Sequence, residues 1–169
     1  MEFELRPWKL SDLDNLVIHA NNPNIAKNLT DGFPHPYTKE HALQFIANAS
    51  KHEPTQVLAI VVDEIAVGGI GIHPQSDIHH KNAELGYWLS QSYWGKGIMT
   101  KAIEQMVKYG FENLPINRIF ARPFGSNIPS QKVLEKAGFK LEARFEKTIF
   151  KNNAFEDELV YAMRKEYGM

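Results

Sequence analysis

Not one cysteine occurs among the 169 residues. That excludes disulfides, a thiolate nucleophile and thiolate ligation of a metal. Long apolar runs are missing too. The stretch Val57 to Val62 is stopped by Asp63 and Glu64, and no basic region followed by an apolar core opens the chain. A soluble, cytoplasmic protein without a membrane partner is expected. Charge of one sign is also scarce: the formal net charge is −1 and no five like charges follow one another. The electrostatic footprint of sequence-independent nucleic-acid binding is therefore lacking, and no nucleic-acid partner is expected. With no internal repeat and no low-complexity linker, 169 residues that are 43% hydrophobic suit one domain, residues 1–169, with a substantial core.

What is present alternates. Phe3 to Arg6 reads as an edge strand, and Ser11 as the N-cap of a helix carrying Leu13, Leu16 and Val17 on one face. A short helical piece around Ile25 to Leu29 leads into Asp31-Gly-Phe-Pro-His-Pro-Tyr-Thr38, where two prolines and a glycine forbid regular structure. Thr38 then caps a helix that buries Ala42, Phe45, Ile46 and Ala49. Gln56 to Val62 and Ala66 to His73 form a hairpin through Asp63-Glu-Ile-Ala, with a bulge or close backbone approach at Gly68, Gly69 or Gly71. A helix on Ile98, Ala102, Ile103, Met106 and Val107 ends near Tyr109 and Gly110. A strand, Asn117 to Arg122, and a helix on Val133, Leu134 and Ala137, closed by Gly138, follow. Lys140 to Phe150 and Phe155 to Met163 pair around Lys151-Asn-Asn. The pattern predicts a mixed α/β (α+β) sheet, antiparallel at both ends with β-α-β in the middle.

The segment Glu84-Leu-Gly-Tyr-Trp-Leu89 running into Tyr93-Trp-Gly-Lys-Gly-Ile-Met-Thr100 is a strand that turns through two glycines into a helix. Gly95 and Gly97 allow close backbone approach, and the helix start offers unpaired N–H groups and the positive dipole end, so the junction suits a diphosphate. Thr100 stands where a dinucleotide fingerprint needs its third glycine. Ser90 stands where an NTP loop needs its first, and Gly97 follows Lys96 where that loop needs Ser or Thr. Both alternatives are disfavoured, although the junction alone does not separate a ligand site from an ordinary tight turn.

Taken together, Leu5-Arg-Pro-Trp8, Phe33-Pro-His-Pro-Tyr-Thr38, Glu84 to Leu89, Tyr93-Trp-Gly-Lys-Gly97, Asn127-x-x-Ser130 and Glu135-Lys-Ala-Gly-Phe139 resemble the Gcn5-related N-acetyltransferases over nearly the whole chain. The similarity is to the ribosomal-protein N-terminal acetyltransferase-like (RimJ/RimL-type) branch. It implies a single domain of about seven strands and about four helices. Two central parallel strands splay apart there, acetyl-CoA enters the notch, its pyrophosphate sits on the glycine loop, and the amine arrives from the opposite side. The family's general form of the loop reads here as Trp94-Gly-Lys-Gly97-Ile-Met99. Trp94 is common in this branch, whereas Met99 puts bulk where a small residue usually permits close approach.

The resemblance implies cofactor contacts from Leu89, Trp94, Gly95, Lys96, Gly97, Ile98, Met99, Thr100, Asn127 and Lys132, with acetyl-CoA as cosubstrate and no metal. Leu89 marks the backbone N–H that would polarise the thioester carbonyl. Lys96 and Lys132 would meet phosphate charge. An ammonium must lose a proton before it attacks a thioester, and Glu84, at the start of the strand, is the candidate base. Ser130 matches the branch's proton donor to the leaving thiolate, a role Tyr87 or Tyr93 could also fill. Asn127 could cap its helix, contact the pantetheine arm, or do both. Phe33, His35 and Tyr37 are assigned to the acceptor pocket or to packing, and the tip Lys151-Asn-Asn153 borders that pocket in the family.

His73-Pro-Gln-Ser-Asp77 spells the His-x-x-x-Asp of a different acyltransferase family, but in a turn-rich segment of a chain shorter than that fold's. His79 and His80, being adjacent, would point to opposite faces of a strand and do not share a metal easily. The expected function is acetyl transfer to a primary amine by direct attack in a ternary complex, because neither a cysteine nor a Gly-x-Ser-x-Gly elbow supplies a nucleophile. A non-catalytic CoA-binding sensor or interaction module, or nucleotide binding through the same loop, are the alternatives. Monomer and homodimer are both compatible with the pattern.

Overall fold

The computed structural model describes residues 1–165, so the end of the expected 1–169 domain, residues 166–169, lies outside the described ones. The strands are β1 (Glu4–Pro7), β2 (Val57–Val62), β3 (Ile65–Pro74), β4 (Asn82–Leu89), β5 (Arg118–Ala121), β6 (Lys140–Lys151) and β7 (Ala154–Arg164). The helices are α1 (Leu13–Ala20), α2 (Pro23–Ala26), α3 (Lys39–Ala49), α4 (Ile98–Asn113) and α5 (Ile128–Lys136). The sheet order is β1-β2-β3-β4-β5-β7-β6. β4 and β5 are parallel, and β1–β2, β2–β3, β5–β7 and β6–β7 are antiparallel, which is the mixed sheet the sequence predicts. By contacts the described residues group into two compact units, 1–71 with 87–102 and 72–86 with those from 103 onward.

In the first unit, α1 is eight residues long, too short to hold its helical form alone, so burial of Leu16 and Ala20 must sustain it. Those residues meet Ala42, Ile46 and Ala49 of α3, Ala59 and Val61 of β2, and Trp8, Tyr37 and Trp88 in one apolar cluster. Thr38 caps α3 as expected, its Oγ1 accepting from the His41 N–H. Ser11 does not cap α1. It lies inside the 3-10 turn Leu10–Asp12, and α1 starts one residue after Asp12. Asp12 is buried, and its carboxylate is held by Arg6 and the Lys9 N–H.

The first hairpin turns on two residues rather than four. Asp63 and Glu64 both take positive φ, the backbone of a tight hairpin, and Ile65 and Ala66 are already in β3. The register slips between Ile60 and Val61, consistent with the expected irregularity. A Cβ on Gly68 would lie 2.6 Å from the Trp88 carbonyl oxygen, so that glycine permits a close backbone approach.

In the second unit, α4 runs past the expected stop to Asn113. Gly110 is a packing position, not a cap: a Cβ there would come within 2.6 Å of Ile72 Cδ1. Gly138, with φ of 98°, ends α5 as expected. Asn152 and Asn153, both at positive φ, make the tight β6–β7 turn. The β4–β5 pairing covers Asn82, Ala83 and Glu84 opposite Arg118, Ile119 and Phe120, and ends there. Beyond it, the chain after β5 stays with β7: Leu159 N–H donates to the Pro123 carbonyl, Phe124 bridges Glu158, and Gly125 N–H donates to the Asp157 carbonyl. This is the splaying implied by the resemblance.

Candidate active site

In the first unit, the glycine turn follows a 3-10 turn, Gln91–Tyr93, that closes β4. Trp94 Nε1 donates to the Leu89 carbonyl at 2.8 Å, so the residue entering the turn is tied to the end of the strand. Gly95 and Gly97 have φ of 73° and 78°, where an L side chain is strained. A Cβ built on either meets nothing within 4 Å. Space is therefore kept open beside backbone that leads into the first turn of α4, where the N–H groups of Ile98, Met99 and Thr100 precede the first i→i−4 partner. That geometry fits a pyrophosphate.

The side chains of Ile98 and Met99 are buried, so these two residues can offer only backbone to a ligand. The bulk of Met99 is in the core rather than over the turn. Lys96 Nζ lies 5.4 Å from the centre of the Tyr93 ring, a cation–π arrangement.

Two features of this region were not legible in the sequence. His19 Nδ1 and Ser90 Oγ are 2.9 Å apart, with Ser90 buried and the His19 ring against Tyr93. Burial pushes the His19 pKa below its ordinary value. Gln91 Oε1 accepts from the amides of both Asn22 and Asn24, tying the start of α2 to the residues before the turn. Each link joins residues about seventy positions apart, and no local pattern marks it.

The proline-rich loop divides. Tyr37 is buried, which pushes its pKa up to about 12, and Phe33 packs on both Tyr37 and Trp88. His35 is exposed.

In the second unit, Glu84 is the third residue of β4, not its first, and the last one paired with β5, and Arg122 follows β5. Arg122 Nε donates to Glu84 Oε2 at 2.7 Å and Nη2 donates to Oε1 at 3.2 Å. Glu158 Oε1 lies 4.0 Å from Nη1 of the same guanidinium. The bond to Glu84 raises the Arg122 pKa against the opposing effect of burial. Asn127 caps α5, its Oδ1 accepting from the Ser130 N–H. Ser126 Oγ donates to Glu156, which ties the turn before α5 to β7. Lys132 is exposed on α5. Tyr161 OH donates to Glu135 at 2.8 Å, joining β7 to α5.

Among the described residues, no group of three His, Cys, Asp or Glu is placed to hold a metal, and no helix is long and apolar enough to cross a membrane. Asp77 of the His-x-x-x-Asp match has positive φ and starts a 3-10 turn, while His73 is in β3.

A mixed sheet whose parallel pair separates after three residues, with an open glycine turn entering a helix, is the frame that the resemblance to the N-acetyltransferases implies. The acetyltransferase (GNAT) domain matches residues 2–140, and the chain belongs to that family and is an acetyltransferase enzyme. It is 28% identical over 98% of its length to an uncharacterized N-acetyltransferase, YnaD of Bacillus subtilis, covering 92% of that protein. It is 31% identical to a putative ribosomal N-acetyltransferase, YdaF of the same organism, over 63% of this chain and 57% of that one. The solved structure of RimL, a ribosomal alpha-N-protein acetyltransferase in complex with coenzyme A, superposes with a TM-score of 0.84 at 21% identity, covering 96% of this chain and 93% of the other. These relatives support the RimJ/RimL-type branch.

Proposed function

We propose that the enzyme transfers the acetyl group of acetyl-CoA to a primary amine, a protein N-terminal α-amine or a small-molecule amine, by direct attack in a ternary complex. The observation that carries this is the Gly95-Lys96-Gly97 turn, with positive φ at both glycines and open space where their side chains would be. Its exposed backbone and the first N–H groups of α4, through Thr100, suit the pyrophosphate, and Lys96 adds positive charge. Acetyl-CoA supplies an activated thioester.

Glu84 takes a proton from the acceptor ammonium, freeing the lone pair that forms the new N–C bond. As the tetrahedral adduct collapses and the C–S bond breaks, the Ser130 hydroxyl gives its proton to the departing thiolate. It recovers one from the former amine nitrogen, which sheds its second proton to become the amide, while Glu84 returns the first proton to solvent. The Leu89 N–H is assigned to the thioester carbonyl, and Asn127 and Lys132 to the pantetheine and phosphate portions. Asn127 Oδ1 is engaged in capping, so its amide nitrogen carries the contact. Phe33, His35 and Tyr37 are assigned to the acceptor pocket, His35 being the exposed one of the three.

The test is thiol release from acetyl-CoA against peptides with different first residues, polyamines, amino acids and aminoglycosides. One class is expected to release thiol in step with amine acetylation. Binding of acetyl-CoA without thiol release for any amine would instead support a CoA-binding module. Competition by ATP or NAD would point to a nucleotide site, and neither is expected to displace CoA.

A further inference from the structure

We propose that Arg122 is the positioning residue for the proton-accepting carboxylate, an inference that rests on the assignment of Glu84 above. Backbone pairing between β4 and β5 ends at Glu84 and Phe120, and the chain beyond β5 keeps to β7. From that point the link from Glu84 to the β5 side is a side-chain one, the two bonds from the Arg122 guanidinium at 2.7 and 3.2 Å. A carboxylate has about four lone-pair sites. The planar fork occupies one on each oxygen, fixes the plane of the carboxylate, and leaves the others for an ammonium proton or a water.

A lysine could keep the charge but not the fork, since its ammonium is a point donor on a flexible stem. Glu158, 4.0 Å from Nη1, adds a second carboxylate beside the guanidinium. Two carboxylates around one guanidinium leave a net negative charge, which favours approach of a cationic amine over an anionic one. Arg122 therefore orients Glu84 without consuming all of its acceptor capacity.

A double-mutant cycle on the full chain tests this, with acetyl-CoA and the panel amine of highest turnover as substrates. Arg122→Ala is expected to lower kcat by about 10- to 100-fold, as loss of orientation does, with acetyl-CoA affinity by calorimetry changed less than about twofold. Arg122→Lys should fall between wild type and Arg122→Ala. The pair Glu84→Gln with Arg122→Ala should lose no more than Glu84→Gln alone, because a residue acting only through Glu84 has nothing left to position.

Losses that multiply in the double variant would overturn the proposal, as would an unchanged kcat in Arg122→Ala while Glu84→Gln is impaired. If Arg122→Ala does not fold, Arg122→Lys decides, and wild-type kcat there overturns it. A Glu84→Gln enzyme with wild-type kcat removes the base assignment itself, and the positioning role with it, a result separate from a failure at Arg122 alone.

Discussion

Trp94 reaches back five residues to donate its indole N–H to the Leu89 carbonyl at 2.8 Å, so the glycine turn is hung from the end of β4 by one side chain. Trp94 is exposed, so this bond rather than core packing accounts for its place. Trp94→Phe keeps the ring and removes the donor. A neutral hydrogen bond is worth about 0.5–1.5 kcal/mol, so acetyl-CoA affinity should fall about two- to tenfold by calorimetry. The melting temperature should move little. An unchanged affinity would mean that the turn does not depend on this anchor.

Gly95 and Gly97 make a sharper test of the turn. Alanine meets no neighbour at either position, so any effect comes from the positive φ and from the methyl group now standing in the open space. The left-handed backbone costs an L residue roughly 1–2 kcal/mol, which Gly95→Ala and Gly97→Ala should each show as lost stability. If the open space is where the pyrophosphate sits, acetyl-CoA affinity should drop more than about tenfold on top of that, beyond what a backbone penalty alone explains. Lower stability with intact affinity would move the ligand away from the turn.

That turn was legible because glycine, helix start and strand lie within one short segment. The Thr38 cap and both hairpins could be read for the same reason: their signals are local. Gly110 misled because a glycine at the end of an apolar pattern looks the same whether it caps a helix or makes room for Ile72, and only the distant partner distinguishes them. Ser11 misled because Asp12, the next residue, is engaged by Arg6 and the helix begins after it. Glu84 was visible as a charge at a strand start, but its partner Arg122 is 38 residues away, in the pattern merely a charge at a strand end. Met99 looked obstructive in sequence and is harmless to the turn in the fold, because helical phase sends its side chain to the core. Phe33 and Tyr37 carried two readings, and their side chains are found packed together in the apolar cluster around Trp88.

Arg6 and Asp12 form a two-pronged pair at 2.9 and 2.8 Å beside the start of α1, and Lys9 N–H adds a third bond to the carboxylate. Burial pushes the Asp12 carboxyl up, but the bonds and charges of Arg6 and Lys9 outweigh it and bring the pKa below its ordinary value. With a depressed folded-state pKa, the unfolded chain binds its proton first. The pair's contribution is therefore present above about pH 4 and is lost as pH falls below it. Asp12→Asn should cost about 2–4 kcal/mol at pH 7, by leaving the half-buried guanidinium with only the more distant and exposed Glu4, 3.9 Å away, as counter-charge. It should also flatten the fall in stability between about pH 4 and pH 2. Denaturant melts of both proteins across that range check the sign, and parallel curves would remove Asp12 as the source.

His19 gives a second, separate pH window. Its pKa is lowered by burial from the ordinary value of 6.5, so the folded protein resists protonation there and the unfolded chain does not. Stability is then complete above about pH 6.5 and declines as pH falls through the lower folded-state value. The ring stands 2.9 Å from Ser90 Oγ and packs against Tyr93, at the entrance to the glycine turn. A charge forced onto it loosens the contact of α1 with the residues that lead into the glycine turn. His19→Asn keeps a polar group near Ser90 but cannot titrate. It should lower stability modestly at pH 8, by about 1 kcal/mol for imperfect packing and bonding. Between pH 6.5 and pH 5 it should lose less further stability than the parent. Acetyl-CoA affinity measured over the same range should weaken with acid in the parent more than in His19→Asn. If the two proteins respond alike, the acid sensitivity lies elsewhere and the His19–Ser90 contact is only a packing link.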